Sequence, residues 1–364
     1  MKILCLMTDA FGGHGGISKF NRDLLTALCS HPDVDEVVAV PRLMPNLPGD
    51  LPAKLTYLTG GLNSKAGFVG EVLRLNSKRK HFDLIICGHI NLTPLSFFCS
   101  IFSGAPLALI IHGIDAWQPT GSSIVNLVVK RVNLLISVSE YTKERFLGWA
   151  GLKDGRCVIL PNSIDLARFS PGRKSQALLD RYGLDDRIVL LTLGRLDSRE
   201  RAKGFDEVLE ILPELAEEIP NIIYLIAGDG RDRARLEQKV KALQVEAMVV
   251  FTGFVSEEEK TDHYRLADAY VMPSRGEGFG IVLLEAMACG IPTVASVADG
   301  SREALRDGFL GTLVDPDKPE EIIAGIKKAL KTGRAVPEGL DYFSEANFKS
   351  RINRVVDSLS KGGD

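Results

Sequence analysis

Two glutamates eight residues apart, Glu277 and Glu285, stand in the stretch PSRGEGFGIVLLEAMACG at 273–290. Glu277 lies among glycines, where Gly276, Gly278 and Gly280 let the backbone approach a ligand with no Cβ in the way. The apolar segment from Phe279–Gly280 onward reads as a helix that carries Glu285. The free N–H groups and positive dipole end at such a helix start suit a phosphate. Eight helical residues span about 12 Å. The two carboxylates can therefore grip hydroxyls on either side of a bound diphosphate, a neutral sugar on one side and a ribose on the other. Acidic residues at this spacing and glycine-rich turns are each common alone. Their combination with an apolar helix is what points to a sugar-nucleotide site.

Three other places hold residues of the right chemistry. Gly12–Gly16 (GGHGG) follows an apolar run and precedes an amphipathic segment from Ser18, so its backbone N–H groups can meet an anion or a sugar. His14 interrupts these glycines, as an acceptor contact or as a solvated loop residue. His112 ends the apolar run PLALIIHG, which puts a polar imidazole at the carboxyl end of a strand, and Asp115 follows it. Arg195 ends IVLLTLG, and Lys203 follows in RLDSRERAKGF. A planar guanidinium takes two phosphate oxygens, and an ammonium adds a point charge. Asp33-Val34-Asp35 and Asp315-Pro316-Asp317 have the D-x-D form but read as turn aspartates. No metal ligand set and no cofactor is expected.

These groups need a scaffold. The chain has 364 residues, which favours two domains. Seven short apolar runs in the first half and six in the second alternate with amphipathic segments, the pattern of parallel sheets built from βα units. Each half is large enough for its own doubly wound sheet, with ligands expected beyond the strands' carboxyl ends. The turn-rich stretch DLARFSPGRK at 165–174 marks the division. The expected domains are 1–168 and 169–344, with an amphipathic helix at 345–364 packed on the first.

A net charge of −3 implies no attraction to nucleic acid, and no nucleic-acid partner is expected. Residues 1–168 carry 17 Lys+Arg against 13 Asp+Glu, whereas 169–364 carry 27 against 34. The basic first half suits an anionic surface or acceptor, or reflects ordinary scatter. Six cysteines without C-x-x-C spacing read as buried thiols of a cytosolic protein. No secretory leader is apparent, and a cytoplasmic protein is expected. Leu84–Ile111 lacks charged residues, but Pro94, Gly104 and Pro106 cut it into strand, short helix and strand, so it reads as core and not as a membrane span. Lys65–Lys80 carries Phe68, Val69, Val72, Leu73 and Leu75 with Lys65, Arg74, Lys78, Arg79 and Lys80. That stripe either packs on the sheet or lies on the anionic cytoplasmic face of the inner membrane.

The stretch at 273–290 resembles the E-x7-E signature of retaining glycosyltransferases of family 4, and the likeness covers nearly the whole chain. It implies the α/β fold called GT-B, two facing Rossmann-like doubly wound domains with the donor cleft between them. It implies transfer of a hexose from a nucleoside diphosphate sugar to a carbohydrate or lipid-linked acceptor, in the manner of bacterial polysaccharide or glycolipid biosynthesis. UDP-glucose is the first expected donor and GDP-mannose the second. By the same resemblance His112, Arg195, Lys203 and Glu277 are the catalytic group. The donor site adds Gly15, Gly16, Asn162, Phe254, Val255, Gly278, Phe279, Gly280, Ile281, Val282 and Glu285, with Glu285 on the ribose and Glu277 on the hexose. His14 and Asp115 fall to the acceptor.

Three departures from the family pattern stand out. Arg195 and Lys203 are eight apart where about five is usual, so Arg199 or Arg201 is an alternative to Lys203. Ser163 replaces a glycine in LPNSID. Asp299–Gly300 replaces a glycine pair. Two rival functions are a sugar-nucleotide epimerase of like fold and a catalytically degenerate subunit. The intact His112, Arg195, Glu277 and Glu285 speak against the second. A dinucleotide oxidoreductase is disfavoured because GGHGG lacks the G-x-G-x-x-G spacing.

Overall fold

The computed structural model describes residues 1–77, 81–197 and 202–361, so Lys78, Arg79, Lys80, Arg199 and Arg201 lie outside the described residues. The chain divides into two compact units, Met1–Ser163 with Glu345–Asp364, and Ile164–Ser344. The division falls inside the LPNSID stretch, five residues before the expected boundary at 168.

The first unit runs β1 (Lys2–Met7), α1 (Gly16–Ser30), β2 (Glu36–Pro41), β3 (Leu55–Tyr57), α2 (Lys65–Ser77), β4 (Leu84–Cys87), α3 (Thr93–Ser103), β5 (Leu107–Ile111), α4 (Ser123–Val128), β6 (Leu134–Ser137), α5 (Glu140–Ala150) and β7 (Cys157–Ile159). The seven strands pair in parallel in the order β3-β2-β1-β4-β5-β6-β7. Continuous Val, Ile and Leu runs suit strands buried on both faces. Phe68, Val72 and Leu75 of α2 pack with Cys99 of α3, Val125 of α4 and Phe146 of α5 over one sheet face.

Of the two readings of the stripe at 65–80, packing on the sheet holds for Phe68, Val72 and Leu75. Its three largest core-facing side chains are buried, and only Val69 and Leu73 point outward. All six cysteines are free thiols, and five are buried; Cys157 is half-exposed.

The second unit runs α6 (Gln176–Tyr182), β8 (Ile188–Leu193), α7 (Phe205–Glu218), β9 (Ile222–Ala227), α8 (Arg233–Ala242), β10 (Val249–Gly253), α9 (Lys260–Leu266), β11 (Ala269–Met272), α10 (Ile281–Ala288), β12 (Thr293–Ser296), α11 (Ser301–Ala304), β13 (Thr312–Val314) and α12 (Pro319–Thr332). Its sheet is parallel in the order β10-β9-β8-β11-β12-β13. The order turns back at β8 and β11, the place where ligands bind in open α/β sheets.

The last helix, α13 (Glu345–Lys361), returns to the first unit and packs on α1. Phe348, Ile352 and Val356 form its buried stripe, and Phe348 meets Phe20 edge-on at 5.6 Å.

Candidate functional site

In the second unit, the loop after β11 carries Glu277 and is held from three sides. Asp299 is buried and takes three hydrogen bonds: Ser274 Oγ at 2.7 Å and Glu277 N–H at 2.8 Å on Oδ2, and Ser301 N–H at 3.0 Å on Oδ1. Burial nonetheless pushes its carboxyl up to about 6. Gly300 N–H donates to Glu277 O at 2.9 Å, and a Cβ at Gly300 would stand 2.2 Å from Gly278 O. Thus Asp299–Gly300 is the anchor of the Glu277 loop: the aspartate supplies acceptors, and the glycine permits the close approach. Arg275 N–H donates to Ala202 O at 2.6 Å, and its guanidinium spans Glu207, Pro316 O and Asp317. Asp317 is therefore engaged by Arg275, and Asp315 by Lys318 at 3.5 Å.

Arg195 and Lys203 enter from the carboxyl end of β8. Gly194 N–H donates to Ala227 O, and Leu196 N–H donates to Asp229 O. A Cβ at Gly228 would lie 1.9 Å from Gly194 O, and Gly228 has φ of 144°, so the AGDG turn needs glycine to lie against the strand that ends in Arg195. Lys203 comes back beside Gly194, whose ideal Cβ would sit 3.5 Å from Lys203 Cδ. Lys203 Nζ donates to Glu277 Oε2 at 3.0 Å, with both side chains about four-fifths buried. Lys203 thus stands at the end of β8 and against Glu277 despite its eight-residue separation from Arg195.

Helix α10 starts at Ile281 after Gly280, with no acidic side chain in its first turn to occupy the N-terminal N–H groups. Glu285 is 2% exposed, and its two oxygens accept from Lys260 Nζ at 2.8 Å and Tyr264 Oη at 2.7 Å. The Tyr264 phenol is held well above its ordinary pKa by burial and by the Glu285 carboxylate, so it stays a donor. Glu285 is not an open carboxylate; a ribose hydroxyl would be a third partner on oxygens that can each accept again. The aromatic side chain of Phe254 is largely exposed on the loop after β10, with Val255 half-buried beside it. Phe279 is buried against Phe343.

In the first unit, the groups gather at the carboxyl ends of β1, β4 and β5. Arg22 NH1 donates to Gly13 O at 3.0 Å and braces the glycine turn. Ser18 Oγ donates to Asp9 Oδ2 at 2.5 Å and to His14 O at 3.0 Å. The exposed His14 ring pairs with Asn46 at 2.6 Å. Gly15 precedes α1 with nothing within 4 Å of its ideal Cβ position, and the first turn of α1 holds no acid.

His112 Nε2 lies 3.0 Å from Gly88 O, which can only accept, so the proton is on Nε2. Burial pushes its pKa down to about 4, and the ring stands edge-on to Phe20 at 5.1 Å. His112 is therefore a neutral imidazole at pH 7. Burial pushes the Asp115 carboxyl up to about 6, and its Oδ2 is buried without a hydrogen-bond partner. His89 accepts Asn91 N–H on Nδ1 at 3.2 Å, which leaves its proton on Nε2, 3.7 Å from Asp115 Oδ2. Asn162 is buried, and Ser163 is tied to α1 by its bond to Asp23 at 2.6 Å. His31, Asp33 and Asp357 place one ligand atom each within 4.8 Å, an arrangement able to hold a metal ion.

Each unit matches a family model: "Glycosyltransferase Family 4" over residues 14–168 and "Glycosyl transferases group 1" over residues 176–349. The chain belongs to glycosyltransferase family 4.

Among curated relatives, it is similar to a GDP-mannose-dependent alpha-(1-6)-phosphatidylinositol monomannoside mannosyltransferase of Mycolicibacterium smegmatis, 34% identical over 61% of this chain and 60% of the relative. It is also similar to a D-inositol 3-phosphate glycosyltransferase of Geodermatophilus obscurus, 32% identical over 64% of this chain and 52% of the relative. The match thus spans between half and three fifths of these relatives' length. Among solved structures, Anabaena HepE in complex with UDP and glucose aligns with a TM-score of 0.75 at 21% identity, covering 98% of this chain and all of that one. Sucrose-phosphate synthase from Thermosynechococcus elongatus aligns with a TM-score of 0.77 at 19% identity, over the full length of both. The likeness is one of fold, and the fold is GT-B.

Sequence reasoning passed over Lys260, Tyr264, Asp299, His89 and Asp9. Only Asp299 left a trace, as a departure from the family's glycine pair. The others lie outside the motifs, and the fold brings them in.

Proposed function

We propose that this protein transfers a hexose from a nucleoside diphosphate sugar to a carbohydrate or lipid-linked acceptor, with retention at the anomeric carbon. The observation that carries the reading is the Lys203–Glu277 pair next to Gly280, where α10 starts without an acid in its first turn. Donor binding would split that pair. Lys203 would turn to the diphosphate with Arg195 and the α10 N–H groups, and Glu277 would accept from hexose hydroxyls. Charge on the departing diphosphate would then be held by groups already in place. Neutral His112 would contact the hexose, and the departing phosphate would help deprotonate the acceptor hydroxyl. The cationic groups supply the role a divalent ion would fill, so the reaction is proposed to be metal-independent.

GDP-mannose has the support of a relative whose name includes it, and it takes precedence over UDP-glucose as the proposed donor. Expected surroundings are the cytoplasm and, for a lipid-linked acceptor, its membrane face. The test is donor turnover across GDP-mannose, UDP-glucose and other nucleotide sugars, with the anomeric configuration of the product read by NMR. Turnover of none, with or without acceptors, would overturn the reading.

A further inference from the structure

Helix α3 of the first unit is apolar on both sides. Thr93, Ser96 and Cys99 are buried and Leu95 and Phe97 pack half-buried on the core, while Phe98, Ile101 and Phe102 face away from it. The rings of Phe98 and Phe102 stack at 6.2 Å, so the outer face is a continuous apolar surface. Neighbouring α4 adds Ile124 and Leu127; these two with Ile101 and Phe102 expose between 58% and 67% of their surface. On its other side α3 packs against α2, whose outward residues are Val69 and Leu73. Seven large apolar side chains on three adjacent helices make a patch of the kind that marks an interaction surface.

The charges around this patch decide what it fits. Neither α3 nor α4 contains a charged residue. At the margins stand Lys65, one turn before Val69, and Lys130 and Arg131, directly after α4. All three are exposed, and among the described residues none makes an ion pair. Ile124, Leu127 and Arg131 recur at intervals of three and four, and Lys65, Val69 and Leu73 at four, so Arg131 and Lys65 each continue an apolar stripe. Among the described residues no helix is long and apolar enough to cross a membrane.

We infer that this face docks on the surface of an anionic lipid bilayer. Phe98, Ile101, Phe102, Ile124 and Leu127 enter the boundary between headgroups and acyl chains, and Lys65, Lys130 and Arg131 meet the lipid phosphates. An apolar centre with a basic rim is complementary to a layer whose anionic groups lie above hydrocarbon. Docking needs neither donor nor acceptor, so it stands or falls apart from the transferase reading, which donor turnover measures separately.

The test is flotation of the full chain with vesicles of phosphatidylcholine alone or containing phosphatidylglycerol, at low and high salt. Binding is expected only to the anionic vesicles and is expected to weaken with salt. Lys130→Glu/Arg131→Glu should lower it at least about tenfold, since each basic residue near such a surface contributes about fivefold. Ile101→Ser/Phe102→Ser should abolish it while leaving the melting temperature unchanged, because both side chains are exposed. As a readout that does not depend on loss of binding, Phe102→Trp should shift its emission to the blue on anionic vesicles and be quenched by brominated acyl chains. No flotation at low salt would overturn the proposal, as would binding untouched by Ile101→Ser/Phe102→Ser. So would a wild-type dimer, seen by light scattering, that the same substitutions convert to monomer.

Discussion

The two units hold their polar groups in opposite ways. In the second, Glu277 meets Lys203 and Glu285 meets Lys260 and Tyr264, so these carboxylates arrive already partnered by a cation; the Asp299 carboxyl, held only by neutral donors, is pushed up to about 6. In the first, His112 and Asp115 are desolvated beyond what their bonds offset. The imidazole is held neutral, and one carboxylate oxygen is left without a hydrogen-bond partner, 3.7 Å from His89 Nε2. A neighbouring cation offsets the desolvation of a buried carboxylate, whereas a buried group without an opposite charge shifts its pKa toward neutrality. The difference fits the proposed division of labour. A diphosphate needs full charges that can change partners, and a sugar's hydroxyls need hydrogen-bonding groups without strong charge.

The largest effect that would test the contrast is at Glu285. Glu285→Ala would leave the Lys260 ammonium without its buried partner, and breaking such a pair costs about 3–5 kcal/mol. Thermal unfolding should show this, while Glu285→Gln, which keeps one acceptor, should lose much less. In the Gln variant, free nucleoside diphosphate should bind more weakly by calorimetry, whereas Glu277→Gln should hardly change it. Equal losses would contradict the assignment of ribose to Glu285 and hexose to Glu277.

At Lys203 the expected loss is in rate. Lys203→Ala and Arg195→Ala should each lower kcat by about 10²–10³, with a smaller rise in KM. Near wild-type turnover in Lys203→Ala, with Arg199→Ala or Arg201→Ala inactive, would move the phosphate contact into the intervening loop.

In the first unit the sign reverses, because a group there should be destabilising. The folded-state pKa of Asp115 is raised, so the folded state binds its proton more tightly, and the contribution to stability present at low pH is lost as pH rises through about 6. Asp115→Asn should therefore stabilise the protein by about 1–2 kcal/mol at pH 7.5, with the gain shrinking as pH falls below about 6 and gone at about pH 3, below the ordinary carboxylate value. His112 works in the other direction. Its folded pKa is lowered to about 4, so it contributes stability above its unfolded value that is lost as pH falls. Calorimetric scans of Asp115→Asn across pH check this. A gain that persists undiminished at about pH 3 would mean that Asp115 is not the strained group. Loss of transfer in the stabilised variant would mark a residue kept for function.

The smallest expected effect is that of chelation. Excess EDTA should change turnover less than about twofold if paired cations already hold the diphosphate. Loss of activity in EDTA, restored by Mg²⁺ or Mn²⁺, would give a metal the task assigned here to Arg195 and Lys203.

Much of the scaffold is legible in the chain alone. Runs such as KILCLM and IIYLIA are apolar on both faces, which is what a parallel strand covered by helices requires, and both became strands. Glycine turns and the amphipathic final segment are local signals of the same kind, because backbone strain and helical period depend on a few neighbouring residues. What the chain could not decide is which groups meet. The apolar stripe at 65–80 reads alike whether it covers a sheet or a membrane, and only packing sent Phe68, Val72 and Leu75 inward. Glu285 reads as an open carboxylate until α9 brings Lys260 and Tyr264 onto its two oxygens. Asp299 looks like a substitution in a turn until Ser274 and the Glu277 N–H fall on it from a loop 22 to 25 positions earlier. Residue type and local period determine strands, turns and helices. Pairing, burial and pKa depend on distances across the fold, and those exist only once the chain has folded.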